Sequence, residues 1–256
     1  MLLRYSSIEF KLFFIGCVFF VIDVIITLIV KKYFKIALSR KYFNKIYSLI
    51  NTLWHAFIAT SIIMFFFVQA FKIPSGSMRN TLIEGDYIFV NKFAYGFHIP
   101  FFNNFKRFVI FNGSDVRRGD LIVFKSPYEP EKHYIKRCVA IAGDNVSIKN
   151  KNLFINGVPV DSSYAIFNDT DIFKKINLFD NNIEKYQKYW EQGRFVSISS
   201  VRDNFGPVVV PNNHYMMLGD NRDFSFDSRF WGPLNDKYIK GKVFLLYWPI
   251  KRWRLL

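Results

Sequence analysis

The sequence is poor in cysteine, poor in histidine and, over one long stretch, free of acidic residues. It has two cysteines, Cys17 and Cys138, among 256 residues. Two are too few for a disulfide framework, and Cys17 lies inside an apolar run where it could hardly meet Cys138. No Asp or Glu occurs between residues 24 and 83. That stretch therefore carries only positive charge.

The composition favours a membrane partner over a nucleic acid. Hydrophobic residues make up 51% of the chain and aromatic residues 20%, yet the formal net charge is +15. Strong basicity alone suits either partner. No nucleic-acid-binding motif, internal repeat or low-complexity tract accompanies it. We therefore expect no nucleic-acid partner.

Two apolar runs predict a membrane anchor. Residues 12–30 contain a single charged residue, Asp23, and residues 53–71 contain no Asp, Glu, Lys or Arg. At about 1.5 Å per residue, each run is long enough to span a ~30 Å hydrocarbon core. The loop at 31–52 carries six basic residues and is expected in the cytoplasm, which leaves a short tail (1–11) and residues 72–256 outside. A cleavable leader is the weaker alternative, because the first run is long and ends in lysines.

From residue 72 onward the pattern predicts a mainly β domain. Short alternating or β-branched runs are separated by turn signals, and Asn156-Gly157 is typical of a hairpin turn. Residues 164–193 are polar, aromatic and lysine-rich, and indicate an insertion or subdomain rather than core. The predicted strands are 87–90, 121–124, 134–141, 146–148, 153–155, 208–210 and 243–248.

A serine and a lysine are the candidate catalytic pair. Ser77 lies in the segment Pro74-Ser75-Gly76-Ser77, which taken alone could be an ordinary exposed turn. Ser77 follows the predicted second span so closely, however, that even an extended chain keeps it within about 20 Å of the membrane. None of the four histidines has a context that supports a Ser-His-Asp triad. Lys136 lies in an apolar strand, where burial would lower its pKa and make it a base.

Acidic partners for the neighbouring arginines lie in the segment 219–232. Lys136 and Arg137 are adjacent on one strand and must point to opposite faces. Arg137 cannot lose its proton and needs an acid, for which Asp220 is the candidate, and Asp227 could pair with Arg229. Ser225 could orient the lysine amine. A purely structural, hydrogen-bonded loop is the alternative reading of this segment.

Five segments in order, behind two spans, resemble the type I signal peptidases of bacteria, which are Ser/Lys-dyad serine proteases. Any one of them alone would be a weak signal, but their order is specific. The matching segments are Pro74-Ser75-Gly76-Ser77-Met78 with Thr81-Leu82, Gly85-Asp86-Tyr87 through Tyr95-Gly96, Arg118-Gly119-Asp120, Tyr134-Ile135-Lys136-Arg137 with Gly143-Asp144, and Gly219-Asp220-Asn221-Arg222-Asp223 with Ser225, Asp227, Ser228 and Arg229.

The resemblance implies a signal-peptidase-like β domain anchored by two transmembrane helices in the inner membrane, facing the periplasm. Ser77 would be the nucleophile and neutral Lys136 the general base. The Ser75 hydroxyl and the Ser77 N–H would form the oxyanion hole, and Ser225 would hydrogen-bond the lysine. Asp220 with Arg137 and Asp227 with Arg229 would be structural salt bridges.

The implied substrates are signal peptides with small residues at the first and third positions before the cut, the Ala-x-Ala rule. No metal or cofactor is implied, and a monomer is expected. The shallow pockets for the small residues would be lined by Phe71, Ile73, Met78, Leu82, Ile88, Val123, Tyr134 and Ile135.

This chain departs from the family pattern in three places. Asn80 stands where proline is usual, Cys138 where a small apolar residue is common, and Phe226 is bulkier than usual. None of these removes a catalytic atom. There are two alternatives to a general signal peptidase. One is a protease with a single dedicated substrate, and the other is an inactive relative that acts as a binding platform.

Contact with anionic membrane lipids is also expected outside the spans, because aromatic rings mixed with cations suit a membrane interface. Packing within the β domain is the alternative for each ring. The residues concerned are Phe97, Ile99, Phe101, Phe102 and Phe105, with Trp248, Lys251, Arg252 and Trp253 near the C-terminus.

Overall fold

The structure is a computed structural model that describes residues 40–96, 113–160 and 163–256, together with six positions between 18 and 25. The chain forms two compact units, Met1–Gln69 and Ala70–Leu256. Most of the predicted first span, the start of the basic loop and the aromatic cluster at 97–105 lie outside the described residues.

The first unit contains helix α1, Arg40–Phe66. It begins inside the predicted basic loop and ends before residue 71, where the second span was expected to end. Val68–Lys72 forms strand β1 instead, because its backbone groups pair with a neighbouring strand. Within the described positions, no helix is both long and apolar enough to cross a membrane.

The second unit is a mainly β domain, as predicted. The described residues form an eight-stranded sheet in the order β1-β2-β11-β3-β4-β9-β10, with β12 paired to β11, and a four-stranded sheet in the order β7-β6-β5-β8. The strands after β1 are β2 Tyr87–Asn91, β3 Leu121–Lys125, β4 His133–Ala140, β5 Asn145–Lys149, β6 Asn152–Ile155, β7 Val158–Pro159, β8 Phe205–Val209, β9 His214–Leu218, β10 Leu234–Asn235, β11 Ile239–Trp248 and β12 Arg254–Leu255.

Each of the seven predicted strands is present, with ends that differ by a few residues. The Asn156-Gly157 turn joins β6 to β7, with Asn156 and Gly157 both at positive φ, as a tight hairpin turn requires. Strand β9 was not predicted from the pattern. Its sequence, His214–Leu218, carries two methionines and does not alternate in polarity, because most of the strand is buried on both faces.

The large sheet is covered by apolar side chains on both faces. On β3, Leu121 and Val123 join one buried cluster, while Ile122 and Phe124 join another. Successive side chains of a strand point to opposite faces, so this strand is central to both clusters. Burial on both sides makes β3 and its neighbour β4 a rigid base for side chains that project from them.

The segment 164–193, predicted as an insertion or subdomain, contributes a side chain to the apolar core. It contains helix α2, Ile183–Glu191. Trp190 is fully buried and packs with Phe195 and Phe205 in the cluster beneath the small sheet. The helix is amphipathic, so its buried aromatic side was concealed by the lysines and glutamates on the opposite side.

Candidate active site

Ser77 lies in a short 3-10 helix, Gly76–Met78, that follows β1. The helix is anchored by Met78, which is buried in the same apolar cluster as Ile73 and Leu82. The Leu82 N–H donates to the Met78 carbonyl oxygen and closes the turn. An apolar anchor directly after the serine therefore holds its backbone while the side chain stays partly exposed.

Lys136 projects from β4, where it lies opposite Ile122 of β3. Its side-chain nitrogen Nζ is 2.7 Å from Ser77 Oγ. Only 4% of the residue's surface is exposed. Burial lowers the pKa of Lys136 to about 8, and the attraction of Asp227 only partly opposes this shift. The structure thus brings the two predicted catalytic residues into direct contact.

Arg137, on the opposite face of β4, forms the predicted ion pair with Asp220. Both its Nε and Nη2 donate to the Asp220 carboxylate, at 2.8 and 2.6 Å. Thr81 joins the pair, because its hydroxyl donates to Asp220 and accepts from Arg137. This network ties β4 to the segment after Ser77 and to the loop that starts at Gly219.

Asp227 and Arg229 form the second predicted ion pair. Arg229 donates to the Asp227 carboxylate through Nε and Nη2, each at 2.8 Å, and both residues are buried. Burial alone would raise the pKa of Asp227, but the guanidinium of Arg229 keeps it below its usual value. The charge of each member is therefore balanced inside the protein, as a buried ion requires.

Gly219 lies in close contact with Ser225 and with the backbone of Ser77. A side chain at this position would overlap Ser225 Oγ and the Ser77 carbonyl oxygen. The backbone N–H of Gly219 donates to Asp227 at 3.1 Å. A residue without a Cβ is needed here because two functional segments meet against its backbone.

The predicted hydrogen bond between Ser225 and Lys136 is not formed. Ser225 Oγ is buried with no hydrogen-bond partner, and Lys136 Nζ bonds to Ser77 instead. Its hydroxyl is nevertheless near enough to the Asp227 carboxylate to help lower the pKa of that group.

Asn221 is a site residue that the pattern did not single out. Its backbone N–H donates to the Ser77 carbonyl oxygen and its side-chain Nδ2 to the Gly76 carbonyl oxygen, both at 3.1 Å. It is 2% exposed. The only signal in the sequence was its place inside the acidic and basic loop, beside residues predicted to form salt bridges.

Ser75 lies on the exposed side of the turn, at the residue before the 3-10 helix, and its side chain makes no cap hydrogen bond. Seven of the eight predicted pocket residues belong to one apolar cluster, and Tyr134 belongs to the next. Five of them are at most 3% exposed: Ile73, Met78, Leu82, Ile88 and Val123. Phe71, Tyr134 and Ile135 are the members that keep partly exposed surface.

Comparison with known proteins gives a consistent result. The family model described as signal peptidase, peptidase S26, matches residues 46–248. Signal peptidase I of Pseudomonas fluorescens is 36% identical over 203 residues, which cover 72% of this chain and 66% of that protein. Signal peptidase I of Helicobacter pylori strain J99 is 32% identical over 255 residues, covering 82% of this chain and 85% of that protein. The chain thus spans just under two thirds of the length of the Pseudomonas protein.

A solved structure of a signal peptidase I from Enterococcus faecalis is also similar. It covers 50% of this chain and 97% of that chain, with 22% identity and a TM-score of 0.34. That likeness is too low to support a conclusion about this chain's fold.

The family model covers well over half of the chain and so defines the class of protein as a member of a peptidase family. More narrowly, the chain belongs to the signal peptidase family, peptidase S26.

Proposed function

We propose that this chain removes signal peptides from exported preproteins, with Ser77 as the nucleophile and neutral Lys136 as the general base. The observation that carries the proposal is the 2.7 Å separation of Lys136 Nζ from Ser77 Oγ. Burial lowers the pKa of Lys136 to about 8. At pH 7 about a tenth of the lysines would then be neutral, against roughly 0.03% at the ordinary pKa.

In the first step, the neutral amine accepts the Ser77 hydroxyl proton as Oγ attacks the scissile carbonyl carbon. The negative charge that develops on the carbonyl oxygen is stabilised by the Ser77 N–H and the Ser75 hydroxyl. The exposed, uncapped Ser75 side chain supports this role. The lysine ammonium then gives its proton to the leaving amine, which departs as the new N-terminus of the mature protein.

In the second step, water hydrolyses the acyl-enzyme. Lys136, neutral again, accepts a proton from the water, which attacks the ester carbonyl carbon and releases the signal peptide with a free carboxylate. Ser77 leaves with the proton that Lys136 returns. The ion pairs of Asp220 with Arg137 and Asp227 with Arg229 keep the loop in place and take no part in proton transfer.

Specificity for Ala-x-Ala sites would come from the apolar surface beside the pair. Phe71 and Ile135 are partly exposed members of the cluster that buries the residues around the Ser77 turn. The other predicted pocket residues of that cluster are buried, so Phe71 and Ile135 are the ones that could meet a substrate side chain. Ser225, buried beside Gly219 with no hydrogen bond, would turn toward the amine during the reaction.

We also propose that two spans anchor the enzyme in the inner membrane, with residues 72–256 on the periplasmic side. The uniform positive charge of residues 24–83 supports this orientation. Exposed Trp248, Ile250, Trp253 and Leu255 support contact of the domain with anionic lipids. Arg252 is less available for lipid than its sequence position suggested, because it pairs with buried Asp86.

The test is cleavage of a purified preprotein with an Ala-x-Ala site by the full-length chain in detergent. Ser77→Ala and Lys136→Ala are compared with Lys149→Ala, an exposed lysine on β5. The parent and Lys149→Ala should cut after the second alanine, and the other two should be inactive. Cleavage by Ser77→Ala would refute the assignment of the nucleophile, and an inactive parent would favour a dedicated substrate.

A further inference from the structure

The segment of residues 163–169 lies along the loop that carries Asp220 and Asn221, and we name it the strap. The Ile166 N–H donates to the Asp220 carbonyl oxygen at 2.8 Å, and the Ile166 carbonyl oxygen accepts from the Arg222 N–H at 3.0 Å. The Asp169 N–H donates to the Asp223 carboxylate at 2.8 Å. The strap is therefore held to the loop at two positions, through both backbone groups of Ile166 and through the backbone N–H of Asp169.

One side chain of the strap extends this pairing to the catalytic turn. The amide of Asn168 donates to Asn221 Oδ1 at 3.0 Å, while Asn221 Nδ2 donates to the Gly76 carbonyl oxygen at 3.1 Å. An asparagine amide carries its acceptor and its donor on one planar group. A donor on Oδ1 consequently determines that Nδ2, and not Oδ1, faces Gly76.

A second contact joins the strap to the residues just after Ser77. The Asn80 amide donates to the Tyr164 carbonyl oxygen at 3.0 Å, and the Tyr164 ring lies 4.0 Å from the Arg137 guanidinium. Asn80 has a φ of 91°, which proline cannot adopt. An asparagine in place of proline thus permits both this turn and its contact with the strap.

We infer that the strap positions the catalytic serine, and that Asn168 does so by orienting the Asn221 amide against the Gly76 carbonyl oxygen. Asn168 is a positioning residue, because it touches neither Ser77 nor Lys136. The inference rests on the proposed function of that pair. It extends the site to a segment whose polarity and lysine content suggested an insertion.

The test compares three variants of the full-length chain in detergent, with kcat and KM measured on an Ala-x-Ala preprotein. Asn168→Asp has the same shape but presents an acceptor to Asn221 Oδ1. Asn168→Ala removes the amide, so that water can hydrogen-bond to Asn221 Oδ1 instead. We expect kcat to fall about tenfold in Asn168→Asp and about threefold in Asn168→Ala, with KM within about twofold of the parent. Thermal unfolding of each variant checks that the fold is intact.

Asn177→Asp is the matched control, because it adds the same charge to the same part of the chain. Asn177 is exposed and accepts a hydrogen bond from the Asn181 N–H through Oδ1, which aspartate preserves. This variant should keep the parental kcat.

Two results would overturn the inference. If Asn168→Asp keeps the parental kcat while Asn168→Ala loses activity, Asn168 only fills space. If KM rises and kcat stays constant in both variants, the residue acts on substrate binding and not on the serine. An inactive parent or an active Ser77→Ala variant would instead count against the proposed function. Either result is therefore distinguishable from a failure of the inference about the strap.

The Asn80 contact provides an independent test of the strap. Asn80→Gly and Asn80→Asp both tolerate a positive φ, but neither can donate to the Tyr164 carbonyl oxygen. We expect kcat to fall severalfold in both, and further in Asn80→Asp, where a carboxylate would face that oxygen. A parental kcat in both variants would show that this contact does not position the serine.

Discussion

Replacing Lys136 by methionine should stabilise the protein while it abolishes activity. Lys136 is 4% exposed, and burial lowers its pKa from 10.5 to about 8. In the unfolded chain the amine would keep its ordinary pKa. Methionine has a similar length, carries no charge and adapts to irregular apolar sites. The variant therefore removes the cost of burying the amine without leaving a large cavity.

The size of the effect follows from proton linkage. A shift of about 2.5 pKa units corresponds to roughly 3 kcal/mol. Between pH 8 and 10.5 the unfolded state binds more protons at this lysine than the folded state, so parental stability rises with pH over that window. Below pH 8 the full cost is present. The gain from Lys136→Met should thus be about 3 kcal/mol at pH 7 and should vanish near pH 10.5.

The assay is urea unfolding of the full-length chain in detergent at pH 7 and at pH 10.5. Each variant is compared with the parent at the same pH, so the titration of other groups cancels. Lys188→Met, an exposed lysine on α2, is the control and should change stability by less than about 0.5 kcal/mol. Equal stability of Lys136→Met and the parent at pH 7, or the same gain at both pH values, would refute the reasoning.

Three further predictions concern activity and stability. The rate constant kcat/KM should rise with pH to a plateau with a midpoint near 8, because neutral Lys136 is the active form; stopped assays across pH 6–10 would measure it. Gly219→Ala should lower kcat by more than about tenfold, since the new Cβ would overlap the Ser77 carbonyl oxygen. Arg252→Gln should destabilise the domain by about 2 kcal/mol in urea unfolding, because it leaves the buried Asp86 carboxylate without its ion-pair partner.

Each of these three predictions has a contrary outcome. A flat pH profile would exclude Lys136 as the titrating base. Full activity of Gly219→Ala would mean that the loop can move away from the serine at little cost. For Arg252→Gln, the neighbouring Lys251→Gln is the control, since Lys251 is exposed. Equal stability of these two variants would show that the Asp86 ion pair contributes nothing.

The contact of Lys136 with Ser77 and both ion pairs could be predicted because each residue has its own chemical requirement and the family resemblance indicated its partner. A lysine in an apolar strand must become neutral or find an acid, and a buried arginine must have a carboxylate. The strands could be predicted because the alternation of apolar and polar residues is visible within a few consecutive positions. The strand predictions needed no knowledge of distant contacts.

Other features depend on contacts between distant segments and could not be predicted. Strand β1 pairs with β2, and local hydropathy does not report that pairing. The Asn221 contacts with Gly76 and Ser77 join residues that are far apart in the chain. Trp190 was assigned to an insertion because polar neighbours dominate the composition around it, although the helix buries its aromatic side.

The most direct test of the account locates the acyl group formed during turnover. The full-length chain is mixed with an activated ester of an Ala-x-Ala peptide and quenched in acid. It is then digested, and the modified residue is identified by mass spectrometry. The account predicts an acyl group on Ser77, formed at a rate that rises with pH around a midpoint near 8 and lost in Lys136→Ala. An acyl group on any other residue, or undiminished acylation of Ser77 in Lys136→Ala, would contradict it.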